Sequence, residues 1–231
     1  MNRVMRALRA AARPERVPLF QSFFKTGPGE YGEGDVFLGI SVPVQRAIAK
    51  RFRDATRAEV KELLASPVHE DRLTGLLILI HQYPGHEDAI YRLDVANAAR
   101  INNWDLVDVS APRIVGAYVR AHPRERRTLL RLARSRNLWE RRIAIVATLG
   151  LIAHGEHDLT LAIAAILLDD KHDLIHKAVG WMLREVGKRD EKALRAFLRT
   201  HATGMPRTML RYAIERLPDR KRLLASSRQG R

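Results

Sequence analysis

Apolar residues recur at helical spacing along almost the whole chain, as in Leu129, Leu130 and Leu132 with Leu138, or Leu159, Leu161, Ile163, Ile166 and Leu167. The two-residue alternation of a half-buried strand is nearly absent, so the pattern predicts an all-α chain. Breaks at PGHED, AHPRE, AHGEHD and TGMP predict short helices joined by tight turns. A longer period runs through this pattern. Glu70, Trp104, Trp139, Leu174 and Met209 are separated by steps of 34, 35, 35 and 35 residues, and each opens an apolar stretch. Three residues beyond each lie Leu73, Val107, Arg142, Lys177 and Tyr212. A period near 35 residues with paired helices predicts an α-solenoid of HEAT-like repeats, each pair burying its face against the next. Such an array curves, and its concave side would form a basic groove.

The charge then limits the partner. The chain of 231 residues carries 41 Lys plus Arg against 26 Asp plus Glu, a formal net charge of +15. An anionic partner is implied, with nucleic acid the commonest for a basic domain and membrane phosphate equal on charge alone. Apolar runs such as GLLILI and AIAAILL are too short to span a bilayer, which argues against a membrane protein. With no cysteine, disulfides and thiolate metal sites are excluded, and a cytoplasmic, nucleoid-associated protein is expected. The length suits one domain over 1–231, expected as a monomer, with a basic helical segment at 1–24 and a frayed basic tail at 220–231. Val4 and Leu8 share a helix face, which favours a first helix over a transit peptide.

One linker stands apart. KTGPGEYGEGD, residues 25–35, is glycine-rich yet carries Glu30, Glu33 and Asp35, which would repel a phosphate. It is expected to be a structured turn before a helix starting near Val42, with Tyr31 available to a ligand. His154 with His157, and His172 with His176, have spacings that could hold a metal. No HExxH accompanies them and the first pair falls in a predicted turn, so no metal site is expected.

Each of the three tryptophans has polar residues one helical turn on: Trp104 with Asp108, Trp139 with Arg142, Trp181 with Arg184 and Glu185. Trp139 is read as core. Asn103 is a plausible N-cap, making Asp105 a first-turn acid whose role is structural, worth about 0.5 kcal/mol through the helix dipole. Pro112 has no N–H to offer the carbonyl of Asp108, so the helix should be distorted beside that acid.

NNWDLVD, LWERRIAIV, HKAVGWMLREVGKRD and MPRTMLRYAIE, taken together and in order, resemble the AlkD-like DNA alkylation repair family of HEAT-like-repeat DNA glycosylases. KTGPGEYGEGDVFLGI is similar to an N-terminal motif of many relatives. The resemblance implies an enzyme that removes cationic N3- and N7-alkylated purines, such as 3-methyladenine, 7-methylguanine and bulkier adducts, from double-stranded DNA. It implies no cofactor and no drawing of the base into a pocket. By position, Asp108 matches the acid that faces the deoxyribose and orients water, Trp104 and Trp181 the cleft indoles, and Arg142 the arginine after the LW dipeptide. Phe23 stands where some members have a tyrosine, and Tyr31 could supply the lost hydroxyl.

Arg113, Lys177, Arg184, Arg207 and Arg211 are the expected phosphate contacts, with Thr208 as a neutral donor. Lys177 shares the register of Arg142 and could approach the site, but hydrolysis without a Schiff base is expected. Two other readings stand beside the glycosylase: a non-catalytic helical-repeat protein that binds bent or branched DNA, and a protein-binding scaffold, which accounts for neither the charge nor the motifs.

Overall fold

The computed structural model describes residues 1–226, and the last part of the expected basic tail, 227–231, lies outside them. Packing divides the chain into two compact units, Met1–Ser110 and Ala111–Arg231. Among the described residues the regular structure is helical, apart from one isolated parallel bridge between Val36 and Val68. This is the all-α, helical-repeat class that the period predicts.

In the first unit α1 (Arg3–Ala10), α2 (Val17–Phe23), α3 (Val42–Arg51), α4 (Arg57–Leu64), α5 (His69–Gln82), α6 (Glu87–Ala96) and α7 (Trp104–Ser110) follow one another. The centre is α5, against which α3, α4 and α7 pack. Its burial is almost circumferential from His69 to Leu79, as expected of a helix surrounded by others. Val4, Met5 and Leu8 turn the inner face of α1 into the core, and Asn2 caps it by accepting from the N–H groups of Val4 and Met5. Thr56 and Glu59 close α4 with a reciprocal capping box.

The first turn of α5 holds the unit together. His69, Glu70 and Asp71 are consecutive and all buried, and each is tied to a different segment. Asp71 pairs in bidentate fashion with Arg9 of α1, one of the two bonds at 2.7 Å, and accepts from the Ser66 hydroxyl at 2.6 Å. Glu70 accepts the backbone N–H groups of Leu38, Gly39 and Ile40 at 2.9–3.2 Å. Gly39 permits this loop: its φ is 77°, and a Cβ there would meet the carbonyl oxygen of Arg13 at 2.1 Å. The glycine-rich linker is therefore a built turn, and α3 begins at Val42 as expected. Glu30 and Glu33 accept the amides of Gly27 and Gly29 at 2.9 Å, while Asp35 turns inward.

In the second unit a π-turn (Pro112–Gly116) leads to α8 (Ala117–Ala121), α9 (Arg126–Leu132), α10 (Leu138–Val146), α11 (Leu149–Ile152), α12 (Asp158–Ile166), α13 (Asp173–Gly187), α14 (Glu191–His201), α15 (Arg207–Ala213) and α16 (Arg220–Ser226). The tail is thus helical from Arg220 to Ser226, and Arg207 donates to the Leu224 carbonyl at 2.6 Å. Helices α13 and α15 are in close contact at Gly180, where a Cβ would lie 2.5 Å from the Met209 carbonyl oxygen and from Cβ of Tyr212. All five residues of the 35-residue register fall within the first three positions of a helix: Glu70 in α5, Trp104 in α7, Trp139 in α10, Leu174 in α13 and Met209 in α15. The repeat in the sequence is a repeat of helix starts.

Candidate active site

Trp104 opens α7, Asn103 stands at the expected cap position, and its side chain accepts the N–H of Trp104 at 2.8 Å. The Asn103 carbonyl accepts from Val107 one turn on. Asp105 is buried, as a structural acid should be, and Asp108 follows one turn after Trp104, half-buried on the same helix. The helix ends at Ser110. Beyond it the amide of Gly116 bonds to the carbonyl of Ala111 at 2.8 Å, a five-residue step that defines the π-turn beginning at Pro112. The distortion predicted from the proline is this widened turn.

An aromatic cluster surrounds Trp104. Its indole stacks on Phe24 with centroids 5.5 Å apart and 29° between planes, and Phe23 meets it edge-on at 5.7 Å. Phe24 continues the stack onto Phe37 at 5.3 Å and His69 at 4.8 Å. Phe23 therefore sits beside the expected catalytic indole, with 60% of its surface exposed. Tyr31 is half-buried in the linker.

Behind these rings lies a buried polar network that sequence reasoning did not find. His69 is held between two carboxylates, Nδ1 at 3.1 Å from Asp35 and Nε2 at 2.9 Å from Asp105. Burial by itself would lower its pKa, but Asp105 and then Asp35 outweigh that, and it is raised to about 9. The ring is therefore an imidazolium at neutral pH, with both nitrogens donating. Arg72 donates to Asp35 at 2.6 Å and to the Ser66 carbonyl at 2.9 Å, and Asn102 also reaches Asp35, at 3.2 Å. Burial pushes the Asp35 carboxyl up, but the His69 hydrogen bond and the Arg72 charge hold it below the usual carboxylate range. The two carboxylates and two cations neutralise each other, so Asp105, the neighbour of Trp104, is fixed from below. The signal available in the sequence was the run His69-Glu70-Asp71 at the head of an otherwise apolar helix.

The second unit holds the remaining candidates. Arg142 on α10 is buried, and its Nη1 donates to the Leu174 carbonyl in the first turn of α13 at 2.7 Å. Trp181 on α13 is half-buried, one residue after the close contact at Gly180. Lys177 pairs with Asp173 at 2.7 Å, and Thr208 also bonds that carboxylate. Arg184 is ion-paired with Glu215, which cancels part of the charge expected of a phosphate contact. Arg113 and Arg211 are exposed, on the π-turn and on α15. Trp139 is core, as expected.

The second histidine pair serves the backbone. His172 Nδ1 accepts the Leu174 amide at 3.1 Å, and burial holds its pKa below the ordinary value. His176 Nε2 lies 2.5 Å from the Asp170 carbonyl oxygen. Among the described residues no group of three or more His, Cys, Asp or Glu side chains is arranged to hold a metal ion, and no helix is long and apolar enough to cross a membrane.

A family profile described as "DNA alkylation repair enzyme" matches residues 4–217. Among solved structures, the chain is similar to "Predicted DNA alkylation repair enzyme from Enterococcus faecalis", with a TM-score of 0.74 and 18% identity over 90% of this chain and 97% of that one. At that identity the likeness concerns the fold. Comparison with curated proteins gives no match.

Proposed function

The chain belongs to the family of DNA alkylation repair enzymes, and from that premise we propose that it is a monofunctional glycosylase. Its substrate is double-stranded DNA carrying cationic N3- or N7-alkylated purines, and it hydrolyses the bond between the lesion and deoxyribose. The observation that carries the proposal is the pair formed by Trp104 and Asp108, one turn apart at the start of a helix braced by stacked rings on one side and by the His69 network beneath Asp105.

The chemistry needs little else. Alkylation at N3 or N7 makes the purine a cation and hence a good leaving group without protonation. As the C1′–N bond lengthens, the bonding pair leaves with the base and positive charge grows on the sugar. A carboxylate beside C1′ stabilises that charge, as in glycoside hydrolysis. Asp108 fills this role and orients the water that adds to C1′, with the water's proton released to solvent. Trp104 and Trp181 offer electron-rich faces to the sugar and exclude solvent, an attraction of order 1 kcal/mol or more for a desolvated cation. Arg142 holds the phosphate beside the lesion, and Arg113, Lys177, Arg207, Thr208 and Arg211 extend the backbone contacts. Selectivity follows from the lability of a cationic base, and the base need not enter a pocket for the bond to break.

The test is base release from methylated duplex DNA by wild type and Asp108→Asn, with DNA affinity measured at several salt concentrations. Release of 7-methylguanine and 3-methyladenine by wild type, and far less by a variant that still binds, is the expected result. If neither protein releases base while both bind DNA in a salt-sensitive way, the protein is a non-catalytic DNA binder. Equal release of uracil or hypoxanthine would refute the leaving-group argument.

A further inference from the structure

One buried side chain touches both supports of Trp104. His69 begins α5 and is 2% exposed. Its Nε2 lies 2.9 Å from Asp105, the residue that follows Trp104 in α7. Its ring centroid lies 4.8 Å from that of Phe24, which stacks on the Trp104 indole at 5.5 Å. It lies equally close to Phe37, at 4.8 Å, and Phe37 stacks on Phe24 in turn. The backbone that carries Trp104 and the ring that covers it are therefore held by the same imidazole.

These neighbours all favour a charged ring. Nδ1 faces Asp35 of the linker at 3.1 Å while Nε2 faces Asp105 of α7, so both nitrogens must donate, which only the imidazolium can do. The faces of Phe24, from α2, and of Phe37, from the segment before α3, attract a cation as well. The other charged groups around this end of α5 are committed elsewhere. Arg72 donates to Asp35, Glu70 accepts the amides of Leu38, Gly39 and Ile40, and Asp71 is paired with Arg9. A neutral ring donates from one nitrogen only, so one of the two carboxylates would face a lone pair. Relief requires movement of Asp35, two residues before Phe37, or of Asp105, next to Trp104. Either shift reaches the indole.

We propose that His69 is a positioning residue for base release: by donating from both ring nitrogens it locks the first turn of α7 to the stacked rings of Phe24 and Phe37, and so fixes how the Trp104 indole meets the sugar. The part played in turnover rests on the glycosylase reading above, whereas the hold on the indole does not. His69 touches no substrate and acts through Asp105 and Phe24. An alkaline limit follows. Burial lowers the pKa of the ring, but Asp105 and Asp35 outweigh it and raise it to about 9, so the hold is complete at neutral pH and is lost as the pH rises through 9.

Two measurements on the full chain test this, from pH 6.5 to 9.5, with circular dichroism showing that the protein is folded at each pH. The first is single-turnover release of 7-methylguanine from duplex DNA, corrected for uncatalysed release, with DNA affinity alongside. The second is the set of indole N–H resonances of the DNA-free protein, that of Trp104 identified by its loss in Trp104→Phe. For wild type the rate should fall about tenfold along an alkaline limb near pH 9 at constant affinity, and the Trp104 resonance should shift with the same midpoint. His69→Gln, which has one donor, should release base roughly ten- to hundredfold more slowly at pH 7.5, without the limb, since a small misplacement costs that much. Because His69→Gln leaves the cluster with one excess negative charge, the double variant His69→Gln with Asp105→Asn, which restores neutrality, is measured as well and should be slowed in the same way. A folded wild type whose Trp104 resonance does not move, or a folded double variant with the rate and pH profile of wild type, would overturn the inference. A protein that releases no base at any pH refutes the glycosylase reading instead, and the Trp104 resonance then decides by itself whether His69 sets the indole.

Discussion

Asp94 should make the protein less stable as the pH rises from about 4 toward neutrality, and replacing it should remove that loss. The residue lies on α6, 1% exposed, with both carboxylate oxygens buried and unpartnered. Burial raises its pKa from 3.8 to about 7. The sign follows from proton binding. Between those values the folded protein holds a proton that the unfolded chain has lost, so stability falls as pH increases and levels off above the folded value. Each pH unit of the interval is worth about 1.4 kcal/mol, so the full effect is about 4 kcal/mol, of which roughly 2–3 falls between pH 5 and pH 8. Asp94→Asn keeps the shape and cannot ionise. In urea unfolding at pH 5, 6.5 and 8, the stability of the variant minus that of wild type should grow by roughly 2–3 kcal/mol across the series. A difference independent of pH would refute the reasoning, because it would mean that Asp94 ionises in the folded protein as easily as in the unfolded chain.

Three further outcomes are expected. His69, raised to about 9, contributes stability that is fully present below pH 6.5 and lost as the pH rises to 9, up to about 3 kcal/mol; thermal melts of wild type and His69→Gln over that range should converge at the alkaline end. Glu70→Ala leaves the amides of Leu38, Gly39 and Ile40 without their acceptor and should cost roughly 2–4 kcal/mol in urea unfolding, whereas a loss under 0.5 kcal/mol would mean that water replaces the carboxylate. Gly180→Ala places a methyl 2.5 Å from the Met209 carbonyl oxygen and should lower the melting temperature through about 1–3 kcal/mol of overpacking; an unchanged melting temperature would show that α13 and α15 separate at little cost.

What was legible in the sequence is what a repeating pattern carries. Burial at helical spacing disclosed the helices, and the 35-residue register disclosed where five of them begin, because every repeat meets the same packing requirement. Trp104, Asn103 and Pro112 were readable for local reasons: a cap, a helix face and a missing amide act within one turn. The His69 network was not, since Asp35, His69, Arg72 and Asp105 are separated by up to 70 positions and meet only after α5 and α7 have packed. Asp35 was counted as one of three loop carboxylates, yet two of these cap loop amides and the third is an internal anchor. Composition cannot separate those uses.

The Glu70 carboxylate gives the loop before α3 an unusual time course of exchange with solvent. Leu38, Gly39 and Ile40 belong to no helix or strand, and amides in such segments ordinarily swap hydrogen for deuterium through small local openings. Here their acceptor is rooted in the central helix, between a residue tied to α1 and a residue tied to α7. Opening the loop at Leu38–Ile40 therefore means disturbing the helix that organises the whole unit. These three irregular amides should exchange as slowly as those of α5 itself, so a protection map of the first unit would show a helix core with one loop included in it.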